Sequence, residues 1–222
     1  MKSLKALKWS FSGLILLGLA ACGERVTQPD NLPWQSNINA AGYTQVFQLE
    51  LGKTTLKEMI ESLEHFPELA VFQKKAEPLL LEAYFGKRRL GVLDARLIAE
   101  LEASRAQLKQ FVAENTERKP QPSGAWKYSL SEDNVKQANQ LAVKYVMYIP
   151  ATNYSPDIVH KHFGEPNSVQ QINTQAAYWL YPGKGLILLM NTEGSEVFHY
   201  SSPQDYAALK QRLLQSMAEA NE

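Results

Sequence analysis

Apolar residues along the chain follow alternately the period of a helix and the period of a strand, beginning at Tyr43. In the first half, a Thr-Thr pair suits a helix cap, and one helical face follows it at Leu56, Met59, Ile60 and Leu63. We predict strands at 46–51, 69–72, 79–85 and 92–101, and a second helix at 104–113. The run 92–101 also suits a helix, and periodicity alone does not decide between the two; we favour a strand.

The second half repeats this order of strand, helix, strands and helix. We predict strands at 126–130, 143–149, 168–172, 176–181, 186–190 and 196–200. Serines at 131 and 155 suit the caps of two helices, and a last helix has Tyr206, Leu209, Leu213 and Met217 on one face.

Residues 114–125 contain two prolines, one glycine, four charges and no apolar side chain larger than alanine. Such a composition is typical of a linker. It separates a first module at 43–113 from a second at 126–222. The sequence therefore predicts an α+β fold of two small modules, each an antiparallel sheet with helices packed on one face.

Residues 22–42 are polar, contain Pro29 and Pro33, and show no sustained apolar period. This composition favours a flexible tether. Trp34 is the one large apolar residue within it. We expect it to make no specific contact, and docking on the folded part or on the membrane interface is the alternative.

The segment 1–21 has three lysines, an apolar run at 11–21 and small residues before Cys22. The run is about half of the roughly 20 apolar residues that span a bilayer, so it is typical of a cleaved secretory signal. Its end, Leu19, Ala20 and Ala21 followed by Cys22, closely resembles the bacterial lipobox. This resemblance implies that diacylglycerol joins the Cys22 thiol and that acyl chains such as palmitate complete the anchor.

Gly23 follows the lipidated cysteine, where aspartate is associated with retention in the inner membrane. By resemblance to sorted lipoproteins, we expect a lipid anchor in the outer membrane and a protein that faces the periplasm. Several acyl chains make such attachment effectively permanent.

Charge and cysteine content narrow the functional classes. Three of the 23 basic residues lie within 1–21, so the mature chain has 20 basic and 23 acidic residues. That balance, without a long basic run, argues against a nucleic-acid partner. Cys22 is the only cysteine, so the fold depends on apolar packing rather than on disulfides.

No enzyme template fits the sequence, and we predict no catalytic residue, no metal and no cofactor. His160 and His162 are two residues apart on a predicted helix, whereas a helical metal site needs a spacing of three or four. No Gly-x-Ser-x-Gly occurs, and we interpret Gly183-Lys184-Gly185 as a turn. We expect His199 to face solvent. An enzyme acting on peptidoglycan or lipid, and a structural spacer without a specific ligand, remain the alternatives to a binding protein.

Two exposed features are candidates for binding. Trp179 and Tyr181 share one face of a predicted strand, and Tyr178 and Leu180 share the other. Aromatic residues on an open sheet face are typical anchors of a protein partner, and we name Trp179 and Tyr181 as the candidates. Burial of both faces between sheet and helix is the alternative. Lys87-Arg88-Arg89 is the densest basic cluster; we interpret it as a solubilising hairpin tip, and a patch for anionic lipid or glycan is the alternative.

The stretch 154–200 resembles the module of the SmpA/BamE-type outer-membrane lipoproteins. The resemblance rests on a short helix that ends in Gly164 and Pro166, followed by a sheet with a tyrosine-rich strand. Residues 51–101 are similar to a diverged copy. The phrases LEAYFGKRRLG and WLYPGKGL also resemble those of a group of proteobacterial outer-membrane lipoproteins. These resemblances imply tandem SmpA/BamE-like, BLIP-like modules and an accessory role in envelope assembly.

Overall fold

One antiparallel sheet of ten strands dominates the computed structural model, which describes residues 31–74, 77–114 and 117–220. In chain order the strands are β1 (Asn37–Ile38), β2 (Thr44–Val46), β3 (Leu49–Glu50), β4 (Glu68–Gln73), β5 (Leu80–Leu90), β6 (Leu93–Leu101), β7 (Arg118–Pro120), β8 (Trp126–Ser129), β9 (Val143–Pro150), β10 (Ser168–Gln171), β11 (Ala176–Tyr181), β12 (Leu186–Asn191) and β13 (Val197–Ser201). The helices are α1 (Leu56–Leu63), α2 (Arg105–Ala113), α3 (Glu132–Ala138), α4 (Pro156–Phe163) and α5 (Tyr206–Ala220). The α+β class predicted from the sequence is confirmed.

The order of strands across the large sheet is β10-β11-β12-β13-β9-β6-β5-β4-β8-β7. Two meanders run from the outer part of the sheet towards its middle: β4-β5-β6 from one side and β10-β11-β12-β13 from the other. Their last strands, β6 and β13, pair with the two edges of β9. A separate three-stranded sheet contains β1, β2 and β3. All the registered strand pairs are antiparallel, and β5 has an irregular register between Tyr84 and Gly86.

The helices begin where the sequence supplies caps. In α1, Thr55 accepts a hydrogen bond from the Glu58 amide, and the Glu58 carboxylate accepts one in return from the Thr55 amide, which is a capping box. The hydroxyls of the serines at 104, 131 and 155 each accept a hydrogen bond from a backbone amide in the first turn of α2, α3 and α4. The helix α1 ends at Leu63, before Pro67, because Glu64 adopts the left-handed conformation.

The predicted single strand at 46–51 is a tight hairpin. Phe47 and Gln48 have φ angles of 51° and 64°, so the chain reverses between β2 and β3. The reversal places the Phe47 ring against the rings of Tyr148 and Tyr200, at centroid distances of 5.3 Å and 5.7 Å. The sequence did not indicate this turn, because neither Phe47 nor Gln48 is one of the residue types that usually form turns.

The predicted tether is corrected over its second part, because residues 31–42 belong to the folded body. Leu32 and Pro33 are buried, and the Tyr200 hydroxyl donates a 2.7 Å hydrogen bond to the Pro33 carbonyl. Trp34 stacks on His162 with ring centroids 4.0 Å apart, so the expectation that it makes no contact is wrong. A polar composition hid these few anchoring residues.

The predicted linker at 114–125 does not separate two sheets. Within it, β7 pairs with β8, and β8 pairs with β4 of the first half. The strand β9 then pairs with β6, so both halves share one continuous sheet. Backbone hydrogen bonding, which does not need apolar side chains, explains how such a polar segment forms an edge strand.

Successive side chains of a strand point to opposite faces, and the two faces of the large sheet are packed differently. The larger buried cluster joins alternate strand residues to α1, α2, α3 and α4, including Met59, Phe111, Ala138 and Phe163. We call this side the helix-covered face. The opposite side is the second face, where a smaller cluster joins Tyr145, Tyr178, Leu180 and Ile187 to Leu209 of α5.

Candidate functional site

Trp179 and Tyr181 lie on the helix-covered face, which corrects the predicted binding face. Tyr181 is 2% exposed, and its hydroxyl donates a 3.1 Å hydrogen bond to the Gly164 carbonyl. Burial raises the pKa of Tyr181 to about 12. Tyr178 and Leu180, on the other side of the same strand, are buried beneath α5. Both faces of β11 are therefore covered, and Tyr181 is not available to a partner.

Trp179 keeps partial access to solvent through a cleft beside α4. The cleft has a volume of about 510 Å³ and an apolar lining that includes Tyr154, Ile158, Ala177, Trp179 and Met190. The Trp179 ring lies 4.7 Å from the ring of His160. Glu196, also in the lining, is buried, and its carboxylate accepts a 3.0 Å hydrogen bond from the Tyr154 amide. Trp179 therefore remains a candidate contact residue, but within a cleft rather than on an open sheet.

The open part of the sheet lies on the second face, across β5, β6, β9 and β13. Tyr84 stands opposite Ile98, and Ile98 stands opposite Met147. Apolar side chains at alternate positions continue this row, and none of them belongs to either buried cluster. We call this set the open stripe; its members are Tyr84, Ile98, Met147, Ile149 and Val197.

The exposure of the open stripe is decided by where α5 lies. Leu209 packs on Tyr145 and Ile187 at one end of the second face. Further along α5, the two terminal guanidinium nitrogens of Arg212 donate hydrogen bonds of 3.0 Å and 2.7 Å to the two carboxylate oxygens of Glu100, which lies on β6. Among the residues described, α5 is the one helix that contributes to the apolar cluster of this face. The open stripe lies beyond that cluster; Tyr84 is 42% exposed, and its other four members are half-buried.

The ion pair of Arg212 belongs to a small charged group. Glu82 stands opposite Glu100 in the sheet, and burial followed by the nearby Glu100 charge raises the pKa of Glu82, while Arg212 opposes the shift. The Arg212 guanidinium also lies over the Tyr145 ring, 4.8 Å from its centroid. This group holds α5 on the sheet, and we interpret it as structural rather than catalytic.

A basic cleft opens at the far end of the β5–β6 hairpin. It has a volume of about 650 Å³, and its charged lining residues are Lys87, Arg88, Arg89, Arg96 and Asp94. Ile149 of the open stripe also contributes to its wall, together with Pro150 and Ala151. The segment predicted as a hairpin tip is thus concave, and Arg88 is half-buried rather than fully solvated.

The histidines of the described chain do not converge. His162 stacks on Trp34 and His160 lies against Trp179, so the two point to different surroundings, as their spacing predicts. The expectation that His199 faces solvent is wrong, because it is buried beneath α5, and burial followed by the Arg212 charge lowers its pKa to about 4. Within 31–74, 77–114 and 117–220, no three His, Cys, Asp or Glu residues are grouped to hold a metal ion.

Sequence reasoning missed the open stripe, although its signal is present. In β5 and β6, Tyr84 and Ile98 occupy positions between the buried residues, where a half-solvated strand normally carries polar side chains. Large apolar residues at outward positions of adjacent strands therefore indicate a second apolar face. The helix α5, which comes last in the chain, decides how much of that face is covered.

Comparison with known proteins gives no relative: no family model, no curated protein and no solved structure matches the chain. No helix in the described part of the chain is long and apolar enough to cross a membrane. Cys22 and the predicted cleavage box lie outside the described residues, so lipidation remains a prediction from the sequence.

Proposed function

We propose that this protein is a lipid-anchored outer-membrane lipoprotein that faces the periplasm and acts without catalysis, as an accessory binding module in envelope assembly or maintenance. The anchor is the diacylglycerol on Cys22, and the support for it is the sequence Leu19-Ala20-Ala21-Cys22. Anchoring confines the folded domain to a thin layer and so raises its effective concentration for partners in the same membrane.

The observation that carries the binding role is the open stripe. Five large apolar side chains on four adjacent strands lie outside both buried clusters, one of them exposed and four half-buried, whereas the opposite face of the same strands packs into the larger cluster. Contiguous apolar surface of this kind is typical of an interaction site. The strands form a rigid platform on which Tyr84 is the aromatic anchor, a residue type enriched at the centre of protein interfaces.

The occupant we propose is an envelope protein that presents acidic side chains beside an apolar segment. Lys87 and Arg96 stand opposite each other at one end of the open stripe, and Arg96 stands opposite Ile149. Neither basic residue forms an ion pair with another described residue. Acidic groups of a partner would complement these two charges and fix its orientation.

We also propose that the two halves are related modules joined side by side. Each half runs from a helix through an antiparallel meander to another helix, with α1 and α4 as the first helices. The two meanders approach β9 in the same outer-to-inner order. The linker within this arrangement is then nearer to β9 than to 114–125, since β7 and β8 extend the first half.

Photocrosslinking in cells tests the binding role. A photoreactive residue at position 84 should capture one envelope protein, whereas the same residue at position 66 should not, although Phe66 is 81% exposed. The captured protein, once purified, should bind the wild type and lose roughly tenfold in affinity for a Tyr84→Asp variant. Equal capture at both positions, or crosslinks within the chain alone, would contradict the proposal and favour a structural spacer.

The anchor is tested separately. The wild-type protein should carry the mass of the lipid on Cys22 and sediment with the outer membrane. A Cys22→Ala variant should lack that mass and be absent from the outer-membrane fraction. A wild-type protein without lipid would contradict the anchor while leaving the sheet-face proposal open to its own test.

A further inference from the structure

We infer that the basic cleft at the end of the β5–β6 hairpin binds a multiply charged oxyanion of the phosphate type. The inference goes beyond the proposed function, because a small anion needs no protein partner. The cleft borders the open stripe at Ile149, but its charged lining includes a residue of the opposite side, Arg88.

The charge of the cleft is strongly one-sided. Four basic side chains line it and Asp94 is the single acid among its lining residues, a local charge near +3 in a chain whose formal net charge is zero. Like charges held together repel one another and are stabilised when an anion binds between them. A local charge of this size favours an anion with more than one negative charge.

The four basic residues of the cleft have no ion-pair partner among the described residues. The Nε atom of Arg88 is buried and has no hydrogen-bond partner in the described part of the chain. A buried donor left unpaired is costly, and native structures rarely keep one. The Arg88 side chain itself is half-buried and lines the cleft, so its guanidinium is not taken up by the fold.

The local fold accounts for how these residues come together. The strands β5 and β6 continue to Leu90 and Leu93, beyond the end of β9 at Pro150. On one side of the hairpin, Lys87 stands opposite Arg96 and Arg89 stands opposite Asp94; on the other side, Arg88 stands opposite Ala95. All four basic side chains nevertheless line the cleft at the end of the hairpin. The small residue Ala95 leaves room beside Arg88, and Ala151 and Ser195 close the cleft.

Arginine rather than lysine predominates in the lining, and this bears on the ligand. A guanidinium offers a planar fork of N–H donors that matches two oxygens of one phosphate. Three arginines with one lysine therefore suit a phosphate-type group better than a single carboxylate. Such a group can come from a soluble phosphate compound or from the headgroup of an anionic phospholipid.

Calorimetric titration of the full chain with inorganic pyrophosphate, in neutral detergent, tests the inference. We expect saturable binding that weakens as salt is added, and an affinity loss on the order of tenfold for Arg88→Gln and for Arg96→Gln. Arg88→Lys keeps the charge but removes the fork, so its loss should be smaller. The control Arg105→Gln removes an exposed charge that does not line the cleft and should bind like the wild type.

Circular dichroism melting checks that every variant is folded. If Arg88→Gln does not fold, Arg88→Lys, which keeps the charge, takes its place in the binding test. Equal binding by the wild type, the cleft variants and the control, or no binding at all, would overturn the inference. Crosslinking from position 84 does not depend on this titration, so failure of the anion site and failure of the sheet-face proposal are distinguishable.

A second arm separates the two sources of phosphate. The same titration is repeated with the protein in nanodiscs of phosphatidylcholine and in nanodiscs that also contain an anionic phospholipid. If the headgroup occupies the cleft, pyrophosphate should bind more weakly in the anionic nanodiscs, and Arg96→Gln should abolish the difference. If a soluble phosphate compound is the ligand, the two nanodiscs should give the same affinity.

Discussion

The two faces of the ten-stranded sheet differ in what covers them rather than in the type of residue they carry. On the helix-covered face, Tyr148 is fully buried against the rings of Phe47 and Phe198. On the second face, Tyr84 occupies a comparable inner strand yet is 42% exposed. The same side chain is thus part of the core on one side and part of the surface on the other.

This difference indicates a division of roles. Burial of large apolar side chains is the main favourable term in folding, so most of the stability should reside on the helix-covered face. The open stripe contributes less, because its side chains belong to neither buried cluster and Tyr84 is 42% exposed. Residues that are not needed to hold the fold together can serve a partner.

Substitutions of adjacent residues on β13 should separate the two faces most clearly. Phe198 is fully buried, and its ring lies 5.4 to 5.5 Å from the rings of Tyr148, Tyr154 and Phe163. Replacing it by alanine should lower the free energy of unfolding by about 3–5 kcal/mol, since a large cavity is left. Val197 points to the second face. Replacing it by alanine should lower the free energy of unfolding by about 1 kcal/mol or less.

Urea unfolding of both variants measures this contrast. Equal losses of stability for Phe198→Ala and Val197→Ala would mean that the second face is packed as tightly as the first. That result would contradict the open character of the stripe.

The pH dependence of stability should depend on the part of the second face that α5 does cover. Burial lowers the pKa of His199 from its ordinary 6.5 to about 4. Between these values the unfolded chain binds a proton at this position and the folded chain does not, so stability falls as the pH falls from 6.5 to 4. The loss should reach roughly 3 kcal/mol at the lower end.

Chemical denaturation at a series of pH values checks this prediction. His199→Gln should flatten the stability profile between pH 6.5 and 4. An unchanged slope in His199→Gln would show that His199 is hydrated, and hence that α5 does not seal its end of the sheet.

Local patterns in the sequence predicted most of the elements but not their assembly. The caps at Thr55, Ser131 and Ser155 and the strands of both meanders could be predicted, because hydrogen-bonding side chains and apolar periods act over a few residues. The pairing of β8 with β4 joins residues more than fifty positions apart. No local pattern specifies such a partner, which is why the sequence did not indicate that strands on either side of 114–125 pair within one sheet.

The candidate site shows the same limit. The sequence indicated that aromatic residues of β11 alternate between two faces, but it did not indicate that α4 and α5 cover both of them. Trp179 and Tyr181 were therefore assigned to an open face that lies elsewhere, on β5 and β6. The basic run at 87–89 was visible in the sequence, whereas Arg96 joined it only through the register of the hairpin.

The smallest expected effect on stability is the most informative about function. Tyr84→Ser removes the one aromatic ring of the open stripe and should change the free energy of unfolding by less than about 1 kcal/mol, because little buried surface is lost. Urea unfolding of the full chain measures it, with Phe66→Ser as the control, since Phe66 is 81% exposed and outside the stripe.

A loss above about 2 kcal/mol for Tyr84→Ser alone would be typical of a buried ring, so some other segment of the chain would have to pack on the stripe. In that case the stripe would be an internal contact rather than a docking surface, and the two faces of the sheet would be alike. A small change, together with loss of crosslinking from the neighbouring position 98 in Tyr84→Ser, would instead separate binding from stability at one residue.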